Sequence, residues 1–214
     1  NALISNEIVK TDDWSVPREP SKFRLHPYAG GGVFQLRGDY NYDDGQAYQA
    51  GVLASTKISG FSLEGGLGYM FLTAKGTEKN SSITDQDNQT QTGTLTIEHT
   101  LHYITLPLIA KYNFVTKPLA TFFVKTGVIN SFLVGSTTSF SFEEANLHGG
   151  SMQDNDFAGY VPYAIAGFGG TAPLDRDIAF ILDLSYQHGL TETHTQEHTI
   201  SSGFTLLIGI SAGI

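Results

Sequence analysis

Positions 200–214, ISSGFTLLIGISAGI, alternate two kinds of side chain. Phe204, Leu206, Ile208, Ile210, Ala212 and Ile214 fall on one side. Ser201, Gly203, Thr205, Gly209, Ser211 and Gly213 fall on the other, with Leu207 the one large exception. A period of two is the signature of a β-strand. The second face is small and polar instead of charged, which sets this strand apart from one that turns a face to water. Segment 61–74 repeats the pattern, with Phe61, Leu63, Leu67, Tyr69 and Phe71 against Ser62, Glu64, Gly66, Gly68 and Met70. So does 178–188, where Ile178, Phe180, Leu182, Leu184 and Tyr186 oppose Asp183, Ser185 and Gln187.

Eight such strands are predicted, over 23–37, 46–58, 61–74, 95–114, 119–134, 157–170, 178–188 and 200–214. The connections alternate in length. Ser59-Gly60, VTKP and TAPLDRD are short and follow the second, fourth and sixth strands. GDYNYDDG, KGTEKNSSITDQDNQTQTGT, GSTTSFSFEEANLHGGSMQDND and GLTETHTQEHT are longer and follow the others. That rhythm gathers every long connection at one end of an up-and-down barrel. Leu and Ile on one face, with small polar groups on the other, suit lipid outside and a narrow lumen inside. Aromatic residues gather near strand ends and suit two headgroup belts. Tyr28, Tyr112, Phe114 and Phe122 are expected at one rim, and Tyr48, Tyr69, Phe71, Phe132, Tyr186 and Phe204 at the other. The expected fold is all-β: an eight-stranded antiparallel up-and-down transmembrane β-barrel with short periplasmic turns and long extracellular loops. A soluble barrel of the lipocalin or streptavidin type is the alternative.

Composition supports the first reading. Charged residues are 15% of the 214, below the ~25% of an ordinary soluble domain. No run approaches the ~18 apolar residues of a membrane helix. Glycine is abundant at 24, as tight turns and a narrow packed interior require. Cysteine is absent, so neither disulfides nor thiolate metal sites are available. The net charge of −9, with no basic stripe, argues against nucleic acid. Residues 1–22 lack the apolar stretch of a signal peptide. An export signal is expected to have been removed, and 1–22, which carry Trp14, to form a periplasmic N-terminal tail to a barrel at 23–214.

YITLPLIAKYNF, followed by FFVKTGVINSFLVG, resembles the PorT-like family of outer-membrane β-barrel proteins. LSYQHGLTET is similar to the Tyr-x-x-Gly-Leu-Thr that closes the penultimate strand in that family. More broadly the chain resembles the OmpA/OmpX class of eight-stranded barrels. The resemblance spans roughly 23–214 and implies the bacterial outer membrane as location, with no reaction common to the family. Such barrels usually end in an aromatic residue, and Ile214 departs from that pattern.

Eight strands enclose a lumen that side chains can fill, so general diffusion is not expected. Arg37, Lys57, Glu64, Lys111, Lys125 and Asp183 are expected inside, as a polar network plugging the barrel. An alternative is a narrow ion path gated by breaking Lys125–Asp183 or Lys111–Glu64. A lipid-modifying enzyme is a second alternative. Ser185 and Asp183 share a strand face while His188 takes the other, so no catalytic residue is assigned. His194 and His198 in extended chain stand ~13 Å apart, so neither a metal site nor a cofactor is expected. The acidic residues concentrate in the long loops. Phe140, Phe142, Glu143, Glu144, Asp154 and Asp156 form a candidate interaction surface, folded over the barrel mouth. Expected partners are outer-membrane lipid and lipopolysaccharide, with an extracellular ligand or divalent cations at the acidic loops, around a monomeric barrel.

Overall fold

Alternating side chains leave each strand with one face that avoids water, and pairing them edge to edge until the sheet closes removes every open edge. The computed structural model describes residues 23–37, 42–43, 45–84, 90–117, 120–142, 147–148, 157–175, 177–194 and 198–214. The strands are β1 (Phe23–Arg37), β2 (Tyr42–Asp43), β3 (Gly45–Ile58), β4 (Phe61–Thr84) and β5 (Thr90–Lys117). They continue with β6 (Ala120–Phe142), β7 (Leu147–His148), β8 (Tyr160–Pro173), β9 (Ile178–Gly189) and β10 (Ile200–Gly213). Eight of them form a closed antiparallel ring in the order β1-β3-β4-β5-β6-β8-β9-β10. β10 returns to β1 with a register from Arg24↔Gly213 to Arg37↔Ile200. The two-residue strands β2 and β7 pair with β4 and β6 near the outer end.

The outer wall is apolar. Leu67, Leu108 and Phe168 are each about 60% exposed, and they repeat around the whole ring. Among the described residues no Asp, Glu, Lys or Arg stands on the outward face between the two aromatic belts. From Tyr48 to Ile58, about ten residues at ~3.4 Å and ~40° tilt, the band is about 26 Å tall, which matches a membrane's apolar core. The upper belt is built from cross-strand ring pairs: Tyr48 with Phe71 at 6.2 Å, Phe132 with Tyr160 at 5.2 Å and Tyr186 with Phe204 at 5.0 Å. The lower belt includes Phe23, Phe114, Phe122 and the pair Phe61–Tyr112 at 5.0 Å. Tyr28 is not in it. Tyr28 points into the lumen, where Gly68 leaves the space: a Cβ there would come within 2.5 Å of the Tyr28 hydroxyl.

Three strands run further than their hydrophobic pattern. β4 reaches Thr84, β5 starts at Thr90 and β6 reaches Phe142, so most of the stretch expected as loop at 75–94 is paired sheet. The reason is composition. Thr and Ser are polar enough to read as loop, yet β-branched Thr is a good strand former. Conversely, β8 starts at Tyr160, and Phe157 makes an isolated bridge with His194 instead of opening the strand.

Candidate functional site

The lumen is organised in layers. Toward the short-turn end, β4 and β5 bring Glu64 and Lys111 together, with Nζ 2.9 Å from Oε1. Lys125 of β6 and Asp183 of β9 reach across β8 to a separation of 2.7 Å. Lys111 and Lys125 stand directly opposite one another on adjacent strands. Two cations therefore share the layer with two anions, and each lysine is neutralised by its own carboxylate. Lys111 also lies 4.4 Å over the ring of Phe123. Phe123 fits because Gly169 faces it, and a Cβ there would run into the ring. A cavity of about 40 Å³ remains beside these groups, bordered by His26, Tyr28 and Glu64. It holds little more than a water molecule.

His26 and Ser55 belong to the same layer and carry no signal of their own in the sequence. His26 Nε2 lies 2.6 Å from Ser55 Oγ and 3.8 Å from Glu64 Oε1. The three residue types are those of a hydrolase triad, but the geometry is not. A relay needs the carboxylate on the ring nitrogen opposite the hydroxyl, whereas here one nitrogen faces both. Among the described residues, His26 Nδ1 and Glu64 Oε2 have no hydrogen-bond partner.

Above the charges sits an amide and hydroxyl layer. Gln49 and Gln187 bridge the lumen at 3.1 Å, Gln187 donates to Thr205 at 3.1 Å, and Thr205 meets Ser185 at 3.1 Å. Ser185 is therefore engaged with Thr205, while His188 turns outward and stacks on Tyr186 at 6.4 Å. Higher still the interior is apolar: Phe34, Met70, Leu72, Leu101, Tyr103, Val161 and Tyr163 pack against one another. The ion pairs of the expected polar network thus lie in the lower part of the lumen, while the inward faces of β1, β4, β5 and β8 supply the apolar cluster above the amide layer.

Two of the six expected lumen residues lie elsewhere. Arg37 has the outward parity of Val33 and Gln35, is exposed, and donates to Gln35 Oε1. Lys57 has inward parity but stands two residues from the Ser59-Gly60 turn and is exposed at the rim. Glu64, Lys111, Lys125 and Asp183 are the four that the barrel brings together. Of the expected loop surface, Phe142 is buried on the inner face of β6 and Phe140 is half-buried, so neither is presented as a loop residue. Glu143, Glu144, Asp154 and Asp156 lie outside the described residues, as does the tail expected at 1–22.

The segment after β9 folds inward over the upper layer. Ala158 donates to the Thr193 carbonyl at 2.9 Å, and Thr193 donates to that of Thr199 at 2.6 Å. Hydroxyls continue the contact downward: Thr193 meets Ser201 at 2.8 Å and Ser201 meets Tyr163 at 2.6 Å. His194 is buried against Phe157 at 4.8 Å and lies 6.1 Å from His99. His99 already binds Thr138 through Nδ1 and Tyr42 through Nε2, at 2.8 and 3.2 Å. His198 is separate, exposed, and paired with Glu192 at 2.9 Å. No group of three or more potential metal ligands occurs among the described residues.

The sequence model of the outer membrane protein beta-barrel domain matches residues 11–195. No curated protein sequence matches the chain at a significant level. Solved structures similar to it include Neisserial surface protein A, with a TM-score of 0.48, 12% identity, and 92% of this chain and 100% of that chain covered. Ail, the attachment invasion locus protein of Yersinia pestis, has a TM-score of 0.41, 12% identity, and 89% and 99% covered. The N-terminal β-barrel domain of Pseudomonas aeruginosa OprF has a TM-score of 0.38, 12% identity, and 89% and 99% covered.

Proposed function

The chain belongs to the outer membrane protein beta-barrel domain family and sits in the bacterial outer membrane, and from that premise we propose that it is a closed barrel acting through its outer surface. One observation carries the reading: the lumen is occupied over its height while β4, β5 and β6 continue outward. Ion pairs fill the lower layer, amides the middle and an apolar cluster the top, with a cavity of about 40 Å³ between the first two. An ion crossing the apolar layer would lose its hydration without compensation, which is prohibitive in so narrow a space. Past the upper belt, β4 runs from Phe71 to Thr84, on the order of 40 Å along the strand. A rigid sheet of that length places loop tips well clear of the membrane, where binding residues usually sit on rigid scaffolds.

Two measurements test this. In planar bilayers the purified protein is expected to be silent at all voltages; steady single-channel currents would contradict the closed lumen. Replacing residues 79–93 with a short Gly-Ser turn is expected to leave the barrel folded and heat-modifiable on gels. The same replacement should reduce retention of expressing cells on protein- and polysaccharide-coated surfaces. Undiminished retention would overturn the surface role.

A further inference from the structure

Where β4, β5 and β6 leave the membrane, their outward faces form a lattice of hydroxyl groups. Thr73, Thr100 and Thr137 stand side by side in the first row above the upper belt. Four residues further out, Thr77, Thr96 and Ser141 form the third. Between these rows lie Lys75, Glu98 and Ser139, so Lys75, the cation within these three rows, has an anion directly beside it. Strand spacing of ~4.8 Å and a two-residue repeat of ~6.8 Å make this a regular array. Thr137 is exposed and Thr96, Thr100 and Ser139 are half-buried.

The array does not begin at random. Phe71 and His102 occupy the same outward face one step below, and Phe132, opposite Ile104, follows one row lower, at the headgroup level. Tyr69 and His102 hydrogen-bond there. The hydroxyl rows are therefore continuous with the lipid-facing wall and meet whatever lies immediately outside the acyl layer. In water alone such a face gains nothing from nearly uncharged hydroxyls; charged residues would serve solubility better. Facing a layer of sugars, hydroxyls are both donors and acceptors and match the polyhydroxylated ligand group for group.

We propose that this face docks the saccharide headgroup of the outer-leaflet glycolipid, seating the projecting sheet in the sugar layer of the membrane. The Thr and Ser rows bond sugar hydroxyls, Lys75 meets a phosphate or carboxylate on the saccharide, and the apolar wall beneath takes the acyl chains. The inference rests on the reading above only in taking β4–β6 to project outward from the membrane.

The test is a titration of the detergent-solubilised protein, followed by native mass spectrometry. One arm uses lipopolysaccharide carrying its core saccharide, the other lipid A without it. The wild type is expected to prefer the sugar-bearing form by about tenfold or more, the scale of two or three net hydrogen bonds. The triple variant Thr96→Val, Thr100→Val, Thr137→Val keeps shape and strand preference while removing hydroxyls, and is expected to lose that preference with lipid A binding unchanged. If the triple variant does not fold, by heat-modifiable migration, Thr100→Val alone is expected to lower the preference several-fold. A folded variant that keeps the full preference, or a wild type that shows none, overturns the proposal. Surface retention of cells is not expected to respond to these valines, so the two readings fail separately.

Discussion

Asp183→Asn is expected to be among the most damaging single changes that leave the barrel's shape alone. Asp183 and Lys125 are both almost fully buried, with Oδ1 and Nζ 2.7 Å apart. At that separation the gross attraction is about 6 kcal/mol for an effective dielectric constant of ~20. Desolvation of both ions offsets much of it, so the pair adds little net stability, yet removing one partner strands the other and costs about 3–5 kcal/mol. The two variants are not equivalent. Asp183→Asn leaves Lys125 facing Lys111 across adjacent strands with only Glu64 to neutralise both. Lys125→Met strands Asp183 but removes the repulsion between the lysines. Asp183→Asn should therefore lie near the upper end of that range and Lys125→Met near the lower, on the order of 5 and 3 kcal/mol. The double variant Lys125→Met, Asp183→Leu should return to within about 1–2 kcal/mol of wild type, because it leaves no unpaired charge. Urea unfolding of protein refolded into lipid vesicles measures all three, with circular dichroism and unboiled gel migration as parallel probes. Single variants within about 0.5 kcal/mol of wild type would refute the reasoning, since that is what a solvated pair is worth. A larger cost for Lys125→Met than for Asp183→Asn would refute the role given to the facing lysines.

Two further outcomes concern the wall and the seam. Leu67→Lys, at mid-height on the outward face, should cost about 2–4 kcal/mol in vesicles, while Leu174→Lys beyond the end of β8 should cost about 0–1; equal effects at both sites would argue against lipid around the band. Gly32→Ala should block closure and abolish heat-modifiable folding, because a Cβ there would run into the Phe204 carbonyl of β10. Gly31→Ala is the control: its Cβ meets the Ala47 carbonyl at 3.2 Å, and folding should survive.

Much of the barrel was legible because the signal is local. On β9 and β10 one face is apolar and the other small and polar, so parity and lipid side follow from the residues alone. β1 is harder. Phe34 and Leu36 face in while Val33 faces out, and Gly30, Gly31 and Gly32 occupy both sides just before them. Hydrophobicity therefore does not tell its faces apart, and Tyr28 and Arg37 were both expected on the wrong side. The polar ends of β4, β5 and β6 were illegible for another reason: strand formation there depends on cross-strand neighbours, such as Thr96 between Thr77 and Ser141, which no window of sequence contains.

The sequence by itself determined the period of two, the eightfold repetition, the alternation of short and long connections and the lipid-facing wall. Each is a property of neighbouring residues or of spacing along one chain. Only the tertiary structure decided who meets whom inside. Whether Lys125 reaches Asp183, or Gln49 reaches Gln187, depends on the stagger accumulated around the closed ring, and a one-residue slip in any pair of strands would turn a whole face inside out. It also decided that the upper lumen is apolar and that threonines outside the membrane align in rows, since both arise from registers shared among strands far apart in sequence.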